Sequence, residues 1–126
     1  MMDERVRTAL ASDRTVDVTT TGRTTGQPRR IEIWFHNVDG RIYITGTPGR
    51  RDWYANLLAH PTFTFHLKAS VAADLPARAR PITDPAERRA IFNHILDRLD
   101  RTAQLDAWLE ASPLVEVTFA GCYGPG

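Results

Sequence analysis

Cysteine and lysine are almost missing from this chain, and long apolar runs are missing altogether. The single cysteine, Cys122, has no internal partner for a disulfide. With no CxxC or HExxH spacing, the four histidines make no recognisable zinc set. No segment approaches the roughly 20 apolar residues of a membrane-spanning helix, and the charged stretch from Met1 to Thr8 has no apolar segment behind it to act as an export signal. The expectation is a cytoplasmic protein without integral membrane association. Ser12, Ser70 and Ser112 lack a GxSxG context, and His36, His60, His66 and His94 have no acid or nucleophile at suggestive spacing. Hydrolytic chemistry therefore has no support, and each histidine reads as a surface or capping residue.

What is present describes an ordinary globular chain. Its 126 residues are 42% hydrophobic and 25% charged, which excludes disorder, a coiled coil or a fibre and suits one domain spanning 1–126. Net charge is only +1. The charge is unevenly spread, because Arg23, Arg29, Arg30, Arg41, Arg50 and Arg51 face only Glu32 and Asp39 between residues 22 and 51. A basic patch of this kind serves a polyanion or is simply a solvated face.

Periodicity gives the order of elements. Val6, Ala9 and Leu10 make a short helical face, and Thr15 to Thr21 is a β-branched strand. Ile31, Ile33 and Phe35 alternate with Glu32, Trp34 and His36 in a second strand, which Asp39-Gly40 turns into a third running from Arg41 to Thr47 with Ile42 and Ile44 inward. Asp52 is placed to cap a short helix with Trp53, Tyr54, Leu57 and Leu58 on its apolar side, stopped by His60-Pro61. Phe63, Phe65 and Leu67 alternate next. Pro76 is expected to break the following segment into a strand at 71–73 and another at 77–82. Asp84-Pro85-Ala86-Glu87 starts a helix carrying Ile91, Ile95, Leu96 and Leu99. A further helix from Ala103 to Ala111 ends at Pro113, and Val115, Val117 and Phe119 form the last strand. About six short strands with three or four helices indicate an α+β barrel with peripheral helices rather than a doubly wound sheet.

Two clusters carry chemistry. Thr21-Gly22-Arg23-Thr24-Thr25-Gly26-Gln27-Pro28-Arg29-Arg30 mixes glycines that free the backbone, hydroxyls that donate and guanidinium forks that match phosphate or carboxylate. Thr45-Gly46-Thr47-Pro48-Gly49-Arg50-Arg51-Asp52 leads into a helix start, where free N–H groups favour an anion. The alternative readings are a polar surface turn and a plain hairpin exit. Neither cluster is a Walker A loop, and no GxGxxG is present. Trp34, on the polar face of its strand, could wall a ring-shaped ligand, while Trp53 and Tyr54 fit core packing as readily.

Taken in order, Thr20-Thr21-Gly22-Arg23-Thr24-Thr25-Gly26-Gln27-Pro28-Arg29, Trp34-Phe35, Asp39-Gly40 and Trp53-Tyr54-Ala55-Asn56-Leu57-Leu58-Ala59-His60-Pro61 resemble the deazaflavin (F420)-dependent nitroreductase/quinone reductase family. The resemblance implies a split β-barrel of the FMN-binding, pyridoxamine-phosphate-oxidase-like type. It also implies coenzyme F420, a deazaflavin with a phosphate and an acidic oligoglutamate tail, passing a hydride to an electron-poor acceptor of quinone, nitro or enone type. By motif position, Arg23, Thr24, Thr25 and Arg29 would hold tail and phosphate, Thr45, Gly46 and Thr47 would line the cofactor, Trp53 and Tyr54 would close the pocket, and Trp34 would lie against the ring. Pro48 stands where the family often has lysine, so Arg50 or Arg51 would supply that charge. The catalytic proton donor stays unassigned, because such a cofactor carries the hydride itself.

Three functions compete at this point: an F420H2-dependent oxidoreductase on a small-molecule acceptor, an FMN-binding flavoprotein of the same fold, and a non-enzymatic cofactor-binding protein. Nucleic acid is not an expected partner, since no basic helix or RNA-binding motif occurs. A homodimer is compatible with all three.

Overall fold

Asp39 and Gly40 have φ of 54° and 88°, the left-handed pair that a two-residue hairpin turn needs. They join β2 (Pro28–Val38) to β3 (Arg41–Thr45) in the structure, a computed structural model that describes residues 3–120. Cys122 lies outside the described residues. The remaining strands are β1 (Thr15–Thr21), β4 (Thr62–Leu67), β5 (Ala73–Pro81) and β6 (Leu114–Phe119). All pairings are antiparallel, and the order β1-β2-β3-β6-β5-β4 closes on itself as β4 returns to β1. Four α-helices accompany the barrel: α1 (Glu4–Ser12), α2 (Asp52–Ala59), α3 (Pro85–Arg98) and α4 (Leu105–Ala111), the last preceded by a 3-10 turn at Thr102–Gln104. Six antiparallel strands with peripheral helices are what the sequence pattern indicates.

Alternation fills the barrel. Val16 and Val18 of β1, Phe35 of β2, Ile42 and Ile44 of β3, Phe63 and Phe65 of β4, Leu75 of β5, and Val117 and Phe119 of β6 belong to one buried cluster. Phe65 meets Phe35 and Phe119 edge to face at centroid distances of 5.4 and 5.3 Å, a favoured aromatic geometry. A second cluster lies outside, where Ile91, Phe92, Ile95 and Leu96 of α3 and Trp108 of α4 cover Tyr43 and Leu114. β3 is thus buried on both faces, which strand alternation alone does not reveal. Asp84 caps α3 by accepting from the Glu87 N–H, with Pro85 in the first turn, as its sequence indicates.

Three local expectations are corrected. Pro76 does not break its strand, for β5 runs without interruption from Ala73, and Val71 lies before it. The Pro76 carbonyl accepts from Ala120 N at 3.0 Å. The N and O of one strand residue point to the same side, so the missing N–H falls where pairing with β6 only begins, at Ala77 with Phe119, and the β4 ladder loses nothing. Asp52 does not cap α2. It is the first helical residue, and the cap position belongs to Arg51, which makes no side-chain cap bond. Leu58 is 54% exposed, and the buried side of α2 is Trp53, Asn56 and Leu57.

His36 is buried on the outside of β2 near α3. Burial, and secondarily the Arg98 charge, pull its pKa down from 6.5 to about 4. The unfolded chain therefore binds a proton that the folded one refuses. The resulting stability is present above pH 6.5 and is lost as pH falls through about 4, with about 2–3 kcal/mol at stake. Urea midpoints at pH 7 and pH 4 should drop further for the wild type than for His36→Gln; equal drops would assign the acid sensitivity to other groups.

Candidate cofactor site

The first glycine cluster forms a closed loop at the end of β1. Gly22 N donates to the Gln27 carbonyl at 2.8 Å and Gly26 N to the Gly22 carbonyl at 2.9 Å, while Gly26 takes φ of 70°. A Cβ on Gly22 would come within 2.7 Å of Thr25 Oγ1 and 3.2 Å of the Gln27 carbonyl, so the close turn requires glycine there. Asn56, 4% exposed, pins this loop to α2. Its Oδ1 accepts from the Arg23 backbone N at 3.1 Å and from Arg23 Nη1 at 3.0 Å, and its Nδ2 donates to Thr20 Oγ1 at 3.2 Å. Asp52, not used as a cap, pairs with Arg23 Nη2 at 3.3 Å.

The second loop is held by its own arginine. Arg51 Nη2 donates to the Thr47 carbonyl at 2.9 Å and to its hydroxyl at 2.7 Å, and Nη1 donates to the Arg50 carbonyl at 2.9 Å. Gly49 N reaches the Ala111 carbonyl at 3.1 Å, and the Thr45 hydroxyl donates to the Pro113 carbonyl. The loop is therefore tied to the far end of α4.

Cross-strand pairs fix which side chains reach this end of the barrel. Val16 faces Ile33, Val18 faces Ile31 and Thr20 faces Arg29, all on the inner face, so Ile31 and Arg29 open onto the barrel mouth. Two clefts lie there. One, of about 460 Å³, is bounded by Thr20, Gly22, Thr24, Thr25, Arg29, Ile31, Trp53 and Asn56. The other, of about 1070 Å³, is bounded by Arg50, Arg51, Tyr54, Arg88, Glu110 and Ser112 among others. Arg23 and Asp52 line both, so their ion pair stands at the junction.

Of the expected site residues, Arg23, Thr24, Thr25, Arg29, Arg50, Arg51, Trp53 and Tyr54 are brought together at the two clefts. Thr45, Gly46 and Thr47 line neither: Thr45 ends β3, and Gly46 and Thr47 lie in the second loop against the Arg51 guanidinium. Trp34 pairs with Thr15 on the outer face and is 50% exposed, away from both clefts. Alternation places it on the polar face correctly, but that face is the outside of the barrel. The arginine patch also divides. Arg30 turns outward to Asp17 at 3.0 Å and Arg41 to Glu116 at 3.6 Å, whereas Arg29 and Arg50 have no side-chain partner among the described residues. Arg88, a residue the motif reading passes over, joins the wall of the larger cleft. Its guanidinium donates to the carbonyls of Ile82, Trp108, Leu109 and Ser112 at 2.8–3.3 Å.

His66 corrects another expectation. Strand pairing sets it between Thr19 Oγ1 and Asp74 Oδ1, each 2.7 Å from a ring nitrogen. This relay spans β1, β4 and β5, and none of its members lines either cleft.

A family model for the F420H2-dependent quinone reductases matches residues 3–110. The chain belongs to that family. Solved structures agree on the fold. A conserved hypothetical protein from Mycobacterium tuberculosis is 18% identical with a TM-score of 0.76, covering 96% of this chain and 82% of its own. An F420 reductase is 16% identical with a TM-score of 0.68, covering 96% and 97%. An F420H2-dependent reductase is 20% identical with a TM-score of 0.62, covering 83% and 94%. The barrel is thus the split barrel, and the protein is an F420H2-dependent oxidoreductase with coenzyme F420 as its cofactor. The residues present suit that group: unpaired guanidinium groups at Arg29 and Arg50 answer an acidic ligand, and the Gly22 turn lets the backbone approach it closely. No helix among the described residues is long and apolar enough to cross a membrane.

Proposed function

We propose that the two clefts bind one F420 molecule end to end across the Arg23–Asp52 junction, and that the acceptor is a small electron-poor molecule of quinone, nitro or enone type entering the larger cleft. The observation that carries this reading is the pair of unpartnered cations, Arg29 in the smaller cleft and Arg50 in the larger. Both guanidinium groups are exposed at the cleft walls, and neither pairs with the two acids there, since Asp52 is held by Arg23 and Glu110 makes no ion pair among the described residues. In this reading Arg23, Thr24, Thr25 and Arg29 hold phosphate and tail, Arg50 adds charge at the second loop, and Trp53 and Tyr54 border the ring. Arg51 acts from behind, keeping the loop shaped through Thr47.

When bound and reduced, F420 supplies the hydride. The chain's own residues orient cofactor and acceptor and exclude water, which is the division of labour expected where a cofactor carries the reaction. The enzyme works in the cytoplasm in this reading, and a homodimer would cover the outward Trp34; sedimentation of the loaded protein distinguishes that assembly from a monomer.

The test is a tryptophan-quenching titration with F420 and, separately, FMN. Trp53 borders the smaller cleft, so binding there quenches its emission. Replacing Arg29 and Arg50 by alanine should weaken F420 binding by about tenfold each and flatten its salt dependence. FMN, with a single phosphate and no acidic tail, should respond less. Unchanged F420 affinity in the double variant would remove the tail and phosphate assignment while leaving the family assignment in place.

A further inference from the structure

We propose that the pocket at the opposite end of the barrel, formed by Arg14, Arg98, Asn37 and the buried His36, is a second binding site, one that takes a small oxyanion such as a carboxylate or phosphate group. The pocket holds about 350 Å³ and lies between the end of α1, the start of β1, the end of β2 and the last turn of α3. β1 runs from this pocket to the glycine loop, so about 20 Å of strand separates it from the cofactor clefts.

Three observations point to an anion. His36 is only 9% exposed and lines the pocket, and its ring nitrogens, which are not sealed from solvent, make no hydrogen bond among the described residues. Two exposed guanidinium groups line the same pocket. Arg14 has no side-chain partner among the described residues, and Arg98 commits one N–H to the Asn37 carbonyl, leaving its other donors free. The remaining polar lining is already engaged: Asp13 accepts from Ser70 N at 3.2 Å, the Ser12 hydroxyl donates to the Thr8 carbonyl, and Asn37 joins Leu10 and Gly40. What is left unspent is a set of donors from three separate elements, the α1–β1 connection, β2 and α3.

The charges around His36 agree. Arg98 acts on it directly, Arg14 shares the pocket wall, Asp13 is the one acid among the lining residues, and Tyr43, its cross-strand neighbour, has its phenol pKa raised by burial. With no anion bound, burial and Arg98 hold the imidazole at about 4. An oxyanion seated among these donors offsets the Arg98 charge and favours the imidazolium, so binding and protonation of His36 are linked.

The experiment uses the full chain loaded with F420, so that the cofactor clefts are filled. Inorganic phosphate and, separately, acetate are titrated at constant ionic strength while the His36 ring is followed by NMR. A saturable change is expected, with the His36 pKa rising by about one to three pH units at saturation. Response to phosphate alone identifies a phosphate site, and response to acetate identifies a carboxylate site; either supports the proposal. The response should vanish in an Arg14→Gln/Arg98→Gln variant that keeps its F420 affinity. Should that variant fail to fold, the exposed Arg14→Gln alone is expected to weaken the anion by about tenfold. No saturable change at His36 with either anion, or a response untouched by these substitutions, overturns the proposal.

Discussion

An Asn56→Leu variant is expected to lose about 2–3 kcal/mol of folding stability and to bind F420 at least about tenfold more weakly. Leucine conserves volume and suits a helix, so neither cavity nor propensity accounts for the loss. The cause is polar. One buried amide accepts from both the backbone N–H and the guanidinium of Arg23 and donates to Thr20. Without it, these groups are unpaired at the base of the smaller cleft, and the glycine loop is no longer tied to α2. Asn56→Asp separates the two consequences. A carboxylate still accepts from Arg23, so the loop stays anchored and stability at pH 7 falls less, yet a negative charge now faces an acidic ligand and binding suffers. Urea unfolding and F420 quenching measured on both variants decide the matter. If Asn56→Leu retained wild-type stability and affinity, the amide would not be what organises the loop.

Asn56 and Arg88 also mark where reading the sequence stops. The hairpin at Asp39-Gly40, the α3 start at Asp84-Pro85 and the end of α2 at His60-Pro61 are legible because each depends on neighbours in the chain. The glycine loops are legible for the same reason. Asn56 meets Arg23 across 33 residues, and Arg88 meets the end of α4 across 20 to 24, so their partners are fixed only once the barrel closes. A faint signal was there: Asn56 falls on the buried stripe of α2 with Trp53 and Leu57, and Arg88 lines up with Ile91, Phe92 and Ile95 on α3. A polar residue on an apolar stripe implies a buried partner. Pro76 and Trp34 fail differently. Whether a proline lacks a ladder bond depends on which side its N faces at which end of the neighbour, and whether a polar face lines a site depends on how the sheet curls. Both are set by pairing register, which local patterning does not carry.

Arg88→Met should be the most damaging single change in the larger cleft, lowering stability by about 3 kcal/mol. Methionine keeps most of the aliphatic stem, so packing against Phe92, over whose ring the guanidinium sits at 5.2 Å, is largely retained. What disappears is a charged fork that gathers four carbonyls from the β5–α3 connection and the end of α4. Those carbonyls include the last ones of a seven-residue helix, which a short helix cannot satisfy internally. Burial lowers the pKa of the arginine, but it stays charged at neutral pH, so the interaction with the negative helix end persists. Arg88→Lys keeps the charge with fewer, differently directed donors and should recover less than half of the loss. The effect should travel to the second loop, because Gly49 N is bonded to the Ala111 carbonyl at the end of the same helix. Hydrogen exchange at Gly49 should therefore speed up in Arg88→Met while the β1 amides stay protected, and KM for the acceptor should rise more than kcat falls, since the substitution loosens the cleft wall rather than the hydride path. Wild-type exchange at Gly49 in a destabilised Arg88→Met protein would show that α4 and the loop are held by something other than this guanidinium.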